Sequence, residues 1–249
     1  MVITSLENKK IKRYIKLKDK KYRDLYDEFL IEGEHLVREA YKKNIIKEIL
    51  LLGEEEYDIG FSSVLFLPLF IMKKVTNLDS PPKVCAICSK MKSDFECRGN
   101  YLLLDRIQDP GNLGTIIRSA VAFHIDMIIL SLDTVDLYNS KVIRATQGML
   151  FQVPIVRKDL LEVLLLLREK GYSTYTTDVT GGVDIRDLDS VSKTRFALLV
   201  GNEGEGVRTE LAELCDKRVY IPMNKKVESL NVAVASSILL YEMGRGGNR

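Results

Sequence analysis

Long hydrophobic runs are missing from this sequence of 249 residues. No apolar stretch approaches the ~20 residues that a membrane-spanning helix needs, so no membrane span is predicted. The first sixteen residues, MVITSLENKKIKRYIK, have no apolar stretch after their charges, which does not fit a secretory signal. We therefore expect a soluble, cytoplasmic protein.

Cysteine is also scarce, with four in the chain. Without a secretory signal, these are more typical of free thiols than of a disulfide framework. Cys85 and Cys88 form a CxxC pair, but they lie in an apolar stretch typical of a buried strand, where positions three apart face opposite sides. Only Cys97 is close by in sequence and four-ligand zinc spacing is missing, so no metal site is predicted.

Charge of one sign is not in large excess, since the formal net charge is +2. The distribution is uneven, however, because nine Lys or Arg residues lie between Lys9 and Arg23 and only Asp19 opposes them. Such a run fits a solvated helix face and a phosphate-binding surface equally well. Three tyrosines lie in or beside it: Tyr14, Tyr22 and Tyr26. They are suited either to stacking on bases or to packing into the core.

The composition, 46% hydrophobic and 29% charged, is that of a globular protein with room for one or two domains. Up to about residue 95, strand-like and helical stretches alternate, which favours a small α/β domain. A strand from Phe29 turns into a helix at Glu34, and further strands are predicted at Ile45–Leu52, Val64–Leu67 and Val84–Ile87. The polar stretch Lys90–Asn100 has no periodicity and is interpreted as a linker.

From Tyr101 onward, strands and helices alternate, and the strands are nearly continuous apolar runs. This pattern indicates a parallel sheet covered by helices on both faces. The predicted strands are Tyr101–Asp105, Met127–Ser131, Gln152–Val156, Ser173–Thr177, Phe196–Val200 and Arg218–Ile221, and the predicted helices are Leu113–Phe123, Asp159–Lys170 and Asn231–Met243. Because ligands of such sheets bind beyond the carboxyl ends of the strands, we expect functional residues just after Asp105, Val200 and Ile221.

The first of these loops begins at Asp105. Pro110 and Gly111 predict a turn, and Asn112 a helix N-cap. Arg118 then falls in the second turn of the helix, where its side chain would lean back toward the strand ends. A surface arginine paired with a carboxylate is the ordinary alternative, but its apolar flanks suggest a buried helix, where a charge needs a partner or a task.

The second loop, Gly201-Asn-Glu-Gly-Glu-Gly, follows a strand directly and can bring backbone close to a ligand. Its glycine spacing is neither that of dinucleotide-binding folds nor that of a P-loop. Glu203 and Glu205 would repel a pyrophosphate, whereas they suit a neutral or cationic ligand.

The third loop runs from Ile221 to Asn231 and leads into the last helix. Ser229 or Asn231 is expected to cap this helix. Four small residues would allow close packing of a neighbouring backbone: Ala233, Ala235, Ser236 and Ser237. Taken alone, the segment also fits an ordinary capped amphipathic helix.

Together, in this order, the three segments resemble the signature motifs of the SpoU family of RNA ribose 2′-O-methyltransferases, within the SPOUT superfamily. The likeness covers Tyr101 to the C-terminus. The stretch from Phe29 to Ala40 resembles the small α/β RNA-binding domain, of ribosomal-protein-like fold, that precedes many such enzymes. The resemblance implies an α/β SPOUT domain with a parallel sheet and a trefoil knot, and a homodimer with active sites near the subunit interface.

The resemblance also implies transfer of a methyl group from S-adenosylmethionine to a ribose 2′-hydroxyl, without a metal. It implies catalytic roles for Arg118, Asn112, Glu203, Ser229 and Asn231, and cofactor binding by Thr177, Gly201, Ile221, Met223 and Leu230. Lys225 departs from the pattern, since relatives often have glycine there.

We thus predict a substrate RNA-binding domain at residues 1–95 and a methyltransferase domain at residues 96–249. The N-terminal domain favours large-subunit ribosomal RNA as substrate. Two alternatives stay open, namely tRNA as the substrate of the same chemistry, and a non-catalytic RNA-binding protein. A nucleotide-dependent oxidoreductase ranks below both because the required glycine spacing is missing.

Overall fold

The computed structural model describes residues 1–53, 60–179, 181–188 and 195–244. Within these residues, no helix combines the length and the apolar character needed to cross a membrane. The chain divides into two compact units. One comprises Met1–Lys92 together with Asp136–Phe151, and the other comprises Ser93–Val135 together with Gln152–Arg249.

The first unit contains a four-stranded mixed sheet in the order β1-β4-β2-β3. Strand β4 is antiparallel to both β1 and β2, while β2 and β3 are parallel. Its strands are β1 (Glu28–Glu32), β2 (Ile46–Leu52), β3 (Val64–Leu67) and β4 (Val84–Ser89), and its first helices are α1 (Lys9–Lys16), α2 (Lys20–Tyr26), α3 (Glu34–Lys42) and α4 (Leu69–Val75). The predicted change from strand to helix at Glu34 is confirmed, since Gly33 with φ +98° separates β1 from α3.

The second unit is built on seven parallel strands in the order β7-β6-β5-β10-β8-β11-β9. The strands are β5 (Tyr101–Leu104), β6 (Met127–Leu130), β7 (Ile155–Arg157), β8 (Ser173–Thr177), β9 (Val183–Asp184), β10 (Phe196–Val200) and β11 (Lys217–Tyr220). The helices of the second half of the chain are α5 (Pro110–Ala122), α6 (Ser140–Thr146), α7 (Leu160–Glu169), α8 (Thr209–Ala212) and α9 (Val232–Gly244). Every residue of β5, β6 and β10 is buried, which confirms the parallel sheet inferred from continuous apolar runs.

Helix α6 belongs to the first unit although its sequence lies between two strands of the second. The fully buried ring of Phe29 in β1 lies with its centroid 4.5 Å from that of Tyr138 and 6.4 Å from that of Phe151. Arg144 in α6 donates a 3.0 Å hydrogen bond to the buried carboxylate of Glu32. Residues 136–151 therefore complete the core and the charge balance of the N-terminal unit.

Most predicted elements are confirmed within three residues at each end, and β7 shows one of the two largest differences, at its start. It was expected at Gln152–Val156 but begins at Ile155. Pro154 precedes it and lacks the N–H that a strand inside a ladder would donate, so regular pairing starts after this residue. Cys85 and Cys88 lie in β4 as buried free thiols, as predicted. The trefoil knot stays a prediction.

Candidate functional site

A cleft of about 200 Å³ lies in the second unit, beyond the carboxyl ends of β8, β10 and β11. The second and third loops line it, as expected for a parallel sheet. Seven of the ten predicted site residues are among those that line the cleft: Thr177, Gly201, Glu203, Ile221, Met223, Ser229 and Leu230. Asn112, Arg118 and Asn231 are not among the lining residues.

The charge of this cleft is of one sign. Glu203 and Asp178 contribute carboxylates, and the described lining residues include neither lysine, arginine nor histidine. Asp178 accepts a 3.3 Å hydrogen bond from Arg218, which balances part of that charge from outside the lining. Apolar groups such as Leu230 and Leu239 make up much of the remaining wall. The cleft therefore suits an amphipathic ligand that is neutral or cationic, in agreement with the inference from the second loop.

The backbone of the second loop lies close against itself at Gly201. A Cβ atom at this position would lie 2.2 Å from the backbone carbon of Gly206 and 2.2 Å from the nitrogen of Val207. Asn202 closes the turn, since its side-chain oxygen accepts hydrogen bonds from the backbone N–H groups of Gly204 and Glu205. Glycine at position 201 is thus required by the packing of the loop.

The first loop differs from the prediction at the start of its helix. Asp109 is the N-cap of α5, and its carboxylate accepts a 2.8 Å hydrogen bond from the backbone N–H of Asn112. Pro110 occupies the first helical position, where its fixed φ is favourable and its missing N–H costs nothing. The predicted turn at Pro110 and Gly111 is therefore wrong, since both residues lie in the first turn of the helix. The predicted N-cap at Asn112 is wrong by three residues.

This shift frees the side chain of Asn112 to link the three loops. Its Nδ2 donates to Glu203 Oε1 at 3.1 Å, and its Oδ1 accepts from Asn231 Nδ2 at 3.0 Å. Asn231 also caps α9, because its Oδ1 accepts from the backbone N–H of Ala233 at 2.9 Å. One residue from each predicted motif thus takes part in a single hydrogen-bonded chain.

Glu203 is the acceptor at the end of this chain. Besides Asn112, the backbone N–H groups of Gln108 and Asp109 donate to its carboxylate at 3.3 and 3.2 Å. Partial desolvation raises the pKa of Glu203, but the hydrogen bonds from Asn112 and the backbone outweigh it and leave the pKa below its ordinary value. An ionised Glu203 therefore holds the first loop against the second. Its described hydrogen bonds do not include Arg118.

Arg118 lies on the outer side of α5. Because the helix begins at Pro110, Arg118 lies in its third turn. The predicted position in the second turn is therefore wrong. Its neighbours Ile116 and Ile117 are buried, but Arg118 itself is exposed, so the expectation of a buried charge is wrong. It forms no ion pair or hydrogen bond with a described residue, which leaves its guanidinium available to a ligand.

Helix α9 packs against α5, and Ser237, one of its four small residues, takes part in the contact. The hydroxyl oxygens of Ser119 and Ser237 lie 2.6 Å apart, and the rings of Phe123 and Tyr241 meet edge to face at 5.6 Å. The outward side of α9 is apolar at helical spacing. Val234, Ile238 and Tyr241 are 47%, 36% and 50% exposed.

Comparison with known proteins agrees with this geometry. Residues 99–241 match the SpoU rRNA Methylase family, and residues 8–86 match an MRM3-like substrate binding domain. The chain belongs to the SpoU rRNA methylase family.

Three relatives of this SpoU methylase cover nearly the whole chain. The 23S rRNA (guanosine(2553)-2′-O)-methyltransferase RlmP of Bacillus subtilis is 39% identical over 97% of this chain and 98% of its own length. A crystal structure of an AdoMet-bound rRNA methyltransferase from Sinorhizobium meliloti has a TM-score of 0.89 at 32% identity, with 98% of this chain and 97% of that one covered. The SpoU methyltransferase AviRb from Streptomyces viridochromogenes, in complex with AdoMet, has a TM-score of 0.85 at 27% identity and covers 96% and 98%.

Two ion pairs that position the loops of this SpoU methylase were missed by the sequence analysis. The fully buried carboxylate of Asp105 accepts hydrogen bonds from the backbone N–H and the side chain of Arg208, both at 3.0 Å. Arg106, with φ +56°, donates to Glu205 at 2.7 Å. No local pattern indicates either pair, since about a hundred residues separate the partners. Lys225, the departure from the family pattern, has no positive φ, so the loop accepts a side chain there without strain.

Proposed function

We propose that this protein transfers a methyl group from S-adenosylmethionine to a ribose 2′-hydroxyl of large-subunit ribosomal RNA. The observation that carries the proposal is the cleft of motif residues, with two carboxylates and without a basic side chain among its described lining. The names of the relatives from Bacillus subtilis and Sinorhizobium meliloti support the reaction, the donor and the substrate. A ribosomal RNA substrate agrees with the predicted cytoplasmic location.

The residues of the cleft fit this donor. S-adenosylmethionine would supply an electrophilic methyl group on a sulfonium centre, and it carries an ammonium and a carboxylate as well as an adenine. Carboxylates at Glu203 and Asp178 suit its positive groups, while Ile221, Met223 and Leu230 offer apolar contact to a purine. Gly201 has no Cβ and so lets the loop that lines the cleft close against Gly206 and Val207. Thr177 and Ser229 provide hydroxyl groups at the rim of the same space.

On the acceptor side, the 2′-hydroxyl oxygen would attack the methyl carbon as the carbon–sulfur bond breaks, so that S-adenosylhomocysteine leaves and the hydroxyl proton passes to solvent water at or before the attack. Arginine keeps its proton in proteins, so Arg118 is a poor base. We assign to Arg118 the binding of the adjacent phosphate and the stabilisation of charge that develops on the ribose oxygen. The hydrogen-bonded chain of Asn112, Glu203 and Asn231 fixes the three loops relative to one another. The fixed loops position donor and acceptor for the displacement at the methyl carbon.

In this proposal each predicted domain has its own role. Residues 1–95 bind the RNA, and residues 96–249 bind the donor and transfer the methyl group. The similarity of residues 8–86 to a substrate binding domain supports the first assignment. A second candidate substrate is tRNA, because a relative from Staphylococcus aureus, 30% identical over 84% of the chain, is named a putative tRNA/rRNA methyltransferase.

The apolar stripe of Val234, Ile238 and Tyr241 supports a homodimer as the working form. An exposed apolar stripe that ends beside the capping residue Asn231 is suited to a second copy of the chain, and it would bring the partner close to the loops. We expect Ile238→Glu to give monomers in analytical ultracentrifugation and to lower methyl transfer. A monomeric wild-type protein with full activity would refute the dimer but not the reaction.

The proposed reaction is tested by incubating the protein with labelled S-adenosylmethionine and separate pools of unmodified ribosomal RNA and tRNA. Label in ribosomal RNA, with an alkali-resistant linkage at the modified nucleotide, is the expected result. Label in tRNA alone would keep the chemistry and correct the substrate. Donor binding without transfer to either RNA or to ribosomal particles would favour the non-catalytic RNA-binding protein, and failure to bind the donor would overturn the proposal.

A further inference from the structure

The basic run at Lys9–Arg23 separates into two groups in the structure. Five of its nine cations form ion pairs with acidic side chains: Lys10, Lys12, Arg13, Lys20 and Arg23. The other four form none with a described residue: Lys9, Lys16, Lys18 and Lys21. The paired group includes contacts to the buried carboxylates of Glu28 and Glu48, so part of the run stabilises the fold. The unpaired group is left for an external anion.

Two of the unpaired lysines flank a pair of tyrosines on α2. The rings of Tyr22 and Tyr26 are stacked, with centroids 6.1 Å apart and planes inclined by 21°. The ammonium groups of Lys16 and Lys21 lie 5.1 and 5.9 Å from the centroid of Tyr22. Both tyrosines are partly exposed, unlike Tyr14, which is buried and donates to Glu48. We call Lys16, Lys21, Tyr22 and Tyr26 the α1–α2 platform.

The inner side of the platform is fixed by the fold. The guanidinium of Arg13 lies 4.7 Å from the centroid of Tyr26 and forms a 2.6 Å ion pair with Glu28, a carboxylate that is only 5% exposed. Tyr26 is therefore held in place, and Tyr22 stacks on it. Ordered aromatic rings lose little conformational entropy on binding, whereas the two lysines are held only by weak, exposed cation–π contacts. An incoming base can displace their ammonium groups, which then remain close to its phosphate.

We propose that the α1–α2 platform binds a single-stranded segment of the RNA substrate, with a base stacked on Tyr22 and backbone phosphates neutralised by Lys16 and Lys21. Stacked aromatic rings between uncompensated cations are the combination by which proteins hold single strands. Base pairs in an A-form duplex are not open to such stacking, so the platform favours loops or bulges over helices. The inference rests on the proposed function, because it names the surface that holds the substrate of the same enzyme.

Binding of the full-length protein to two labelled probes tests the platform: a uridine-rich single-stranded 12-mer RNA and an RNA duplex of equal length. We expect Tyr22→Ala to weaken binding of the single strand by ~5- to 100-fold, with little effect on the duplex, while Tyr22→Phe keeps the wild-type affinity. Lys16→Ala/Lys21→Ala should reduce the slope of log K against log salt by about 1.4, at ~0.7 for each single-strand phosphate contact. The control Lys42→Ala/Lys43→Ala, at the C-terminal end of α3, removes one cation that pairs with Glu39 and one that pairs with no described residue, and it should stay within about twofold of wild type.

Two results would overturn the platform. One is a folded Tyr22→Ala whose affinity for the single strand is within about twofold of wild type. The other is an equal loss of affinity for the single strand and the duplex, which would indicate that the site acts through charge alone. Should Tyr22→Ala melt far below the wild type, photocrosslinking of the wild type to 5-iodouridine RNA decides. A crosslink at Tyr22 supports the proposal, and crosslinks confined to other residues refute it. Methyl transfer by the wild type is measured in parallel. If the wild type transfers methyl groups and Tyr22→Ala binds the single strand as the wild type does, the platform is refuted and the proposed function is not. If the wild type transfers none, the proposed function is refuted, and the binding measurements alone test the platform.

Discussion

The two units of the molecule use charge in opposite ways. In the N-terminal unit, three buried glutamates form four ion pairs with basic side chains, and a surplus of cations is left at the surface. In the second unit, the carboxylate of Glu203 is held by an amide and backbone N–H groups, and the described cleft lining is without basic side chains. One unit thus presents positive charge to a polyanion, while the other presents negative charge to a small ligand.

This contrast matches the two reactants of the proposed reaction, an anionic RNA and a donor with a sulfonium. It also shows why a count of charged residues is a poor guide. The basic run of the N-terminal unit is partly structural, and both glutamates of the acidic loop in the second unit bind groups of the first loop.

The largest effect on stability is expected at Arg23, a paired member of the basic run. Its side chain is 8% exposed, forms a 2.6 Å ion pair with Asp136 and donates to the backbone carbonyls of Leu17 and Lys18. Arg23→Ala leaves these groups unpaired and should lower the free energy of unfolding by about 3–5 kcal/mol in urea denaturation. The control Lys21→Ala removes an unpaired cation and should change it by about 0.5 kcal/mol or less. Equal losses for both would refute the division of the run.

A comparably large effect, on rate and not on stability, is expected at Arg118. Arg118→Ala should lower methyl transfer about 10²- to 10³-fold, since a group that stabilises developing charge is lost. Donor binding by calorimetry and the melting temperature should not change, because Arg118 is exposed and pairs with no described residue. Thr115→Ala, at an exposed position one turn earlier on α5, is the control. A weaker affinity for the donor would show that Arg118 serves the cleft and not the RNA.

The parts that the sequence predicts well are those fixed by local pattern. Strands buried on both faces require continuous apolar runs, and the parallel connection then brings the loops after Val200 and Ile221 to one edge of the sheet. Where two neighbouring residues suit the same structural role, the choice between them was predicted poorly. Both Asp109 and Asn112 suit an N-cap, and Pro110 decides between them because it favours the first helical position.

Pairs between distant residues were beyond sequence reasoning. The partnership of Asp105 with Arg208 depends on how two loops meet in space, and many acid–base pairs in the chain would be equally plausible on paper. The strand and helix rhythm also gave no sign that residues 136–151 pack into the N-terminal unit, because α6 has the helical pattern of any layer of an α/β fold.

A smaller effect is expected where the cleft depends on backbone shape. In Gly201→Ala the new Cβ would lie 2.2 Å from the backbone of Gly206 and Val207, so the loop must shift. We expect a loss of about 1–3 kcal/mol in stability and weaker donor binding, measured by denaturation and calorimetry. Gly204→Ala in the same loop is the control, since its Cβ would approach only the side chain of Asn202, at 3.6 Å. If a folded Gly201→Ala bound the donor as tightly as the wild type, the shape of this loop would make no contribution to cofactor binding.

The smallest effect, and the one specific to charge in the second unit, is the dependence of stability on pH at Glu203. Hydrogen bonds from Asn112 and the backbone of Gln108 and Asp109 hold the pKa of Glu203 below its ordinary value of 4.5 despite partial desolvation. A carboxyl group with a lowered folded-state pKa stabilises the fold above its unfolded pKa, and this contribution is lost as the pH falls through the folded value.

Glu203→Gln should therefore cost about 1 kcal/mol or less at neutral pH, because the group is exposed and solvent weakens the interaction. The difference from wild type should disappear in strong acid, which denaturation curves from neutral to acidic pH will show. Glu205→Gln is the comparison, since Glu205 lies in the same turn but contacts the first loop through the charged side chain of Arg106 and not through Asn112 or backbone N–H groups. A wild-type advantage that persists unchanged into strong acid would mean that the shape of Glu203, and not its charge, holds the first loop against the second.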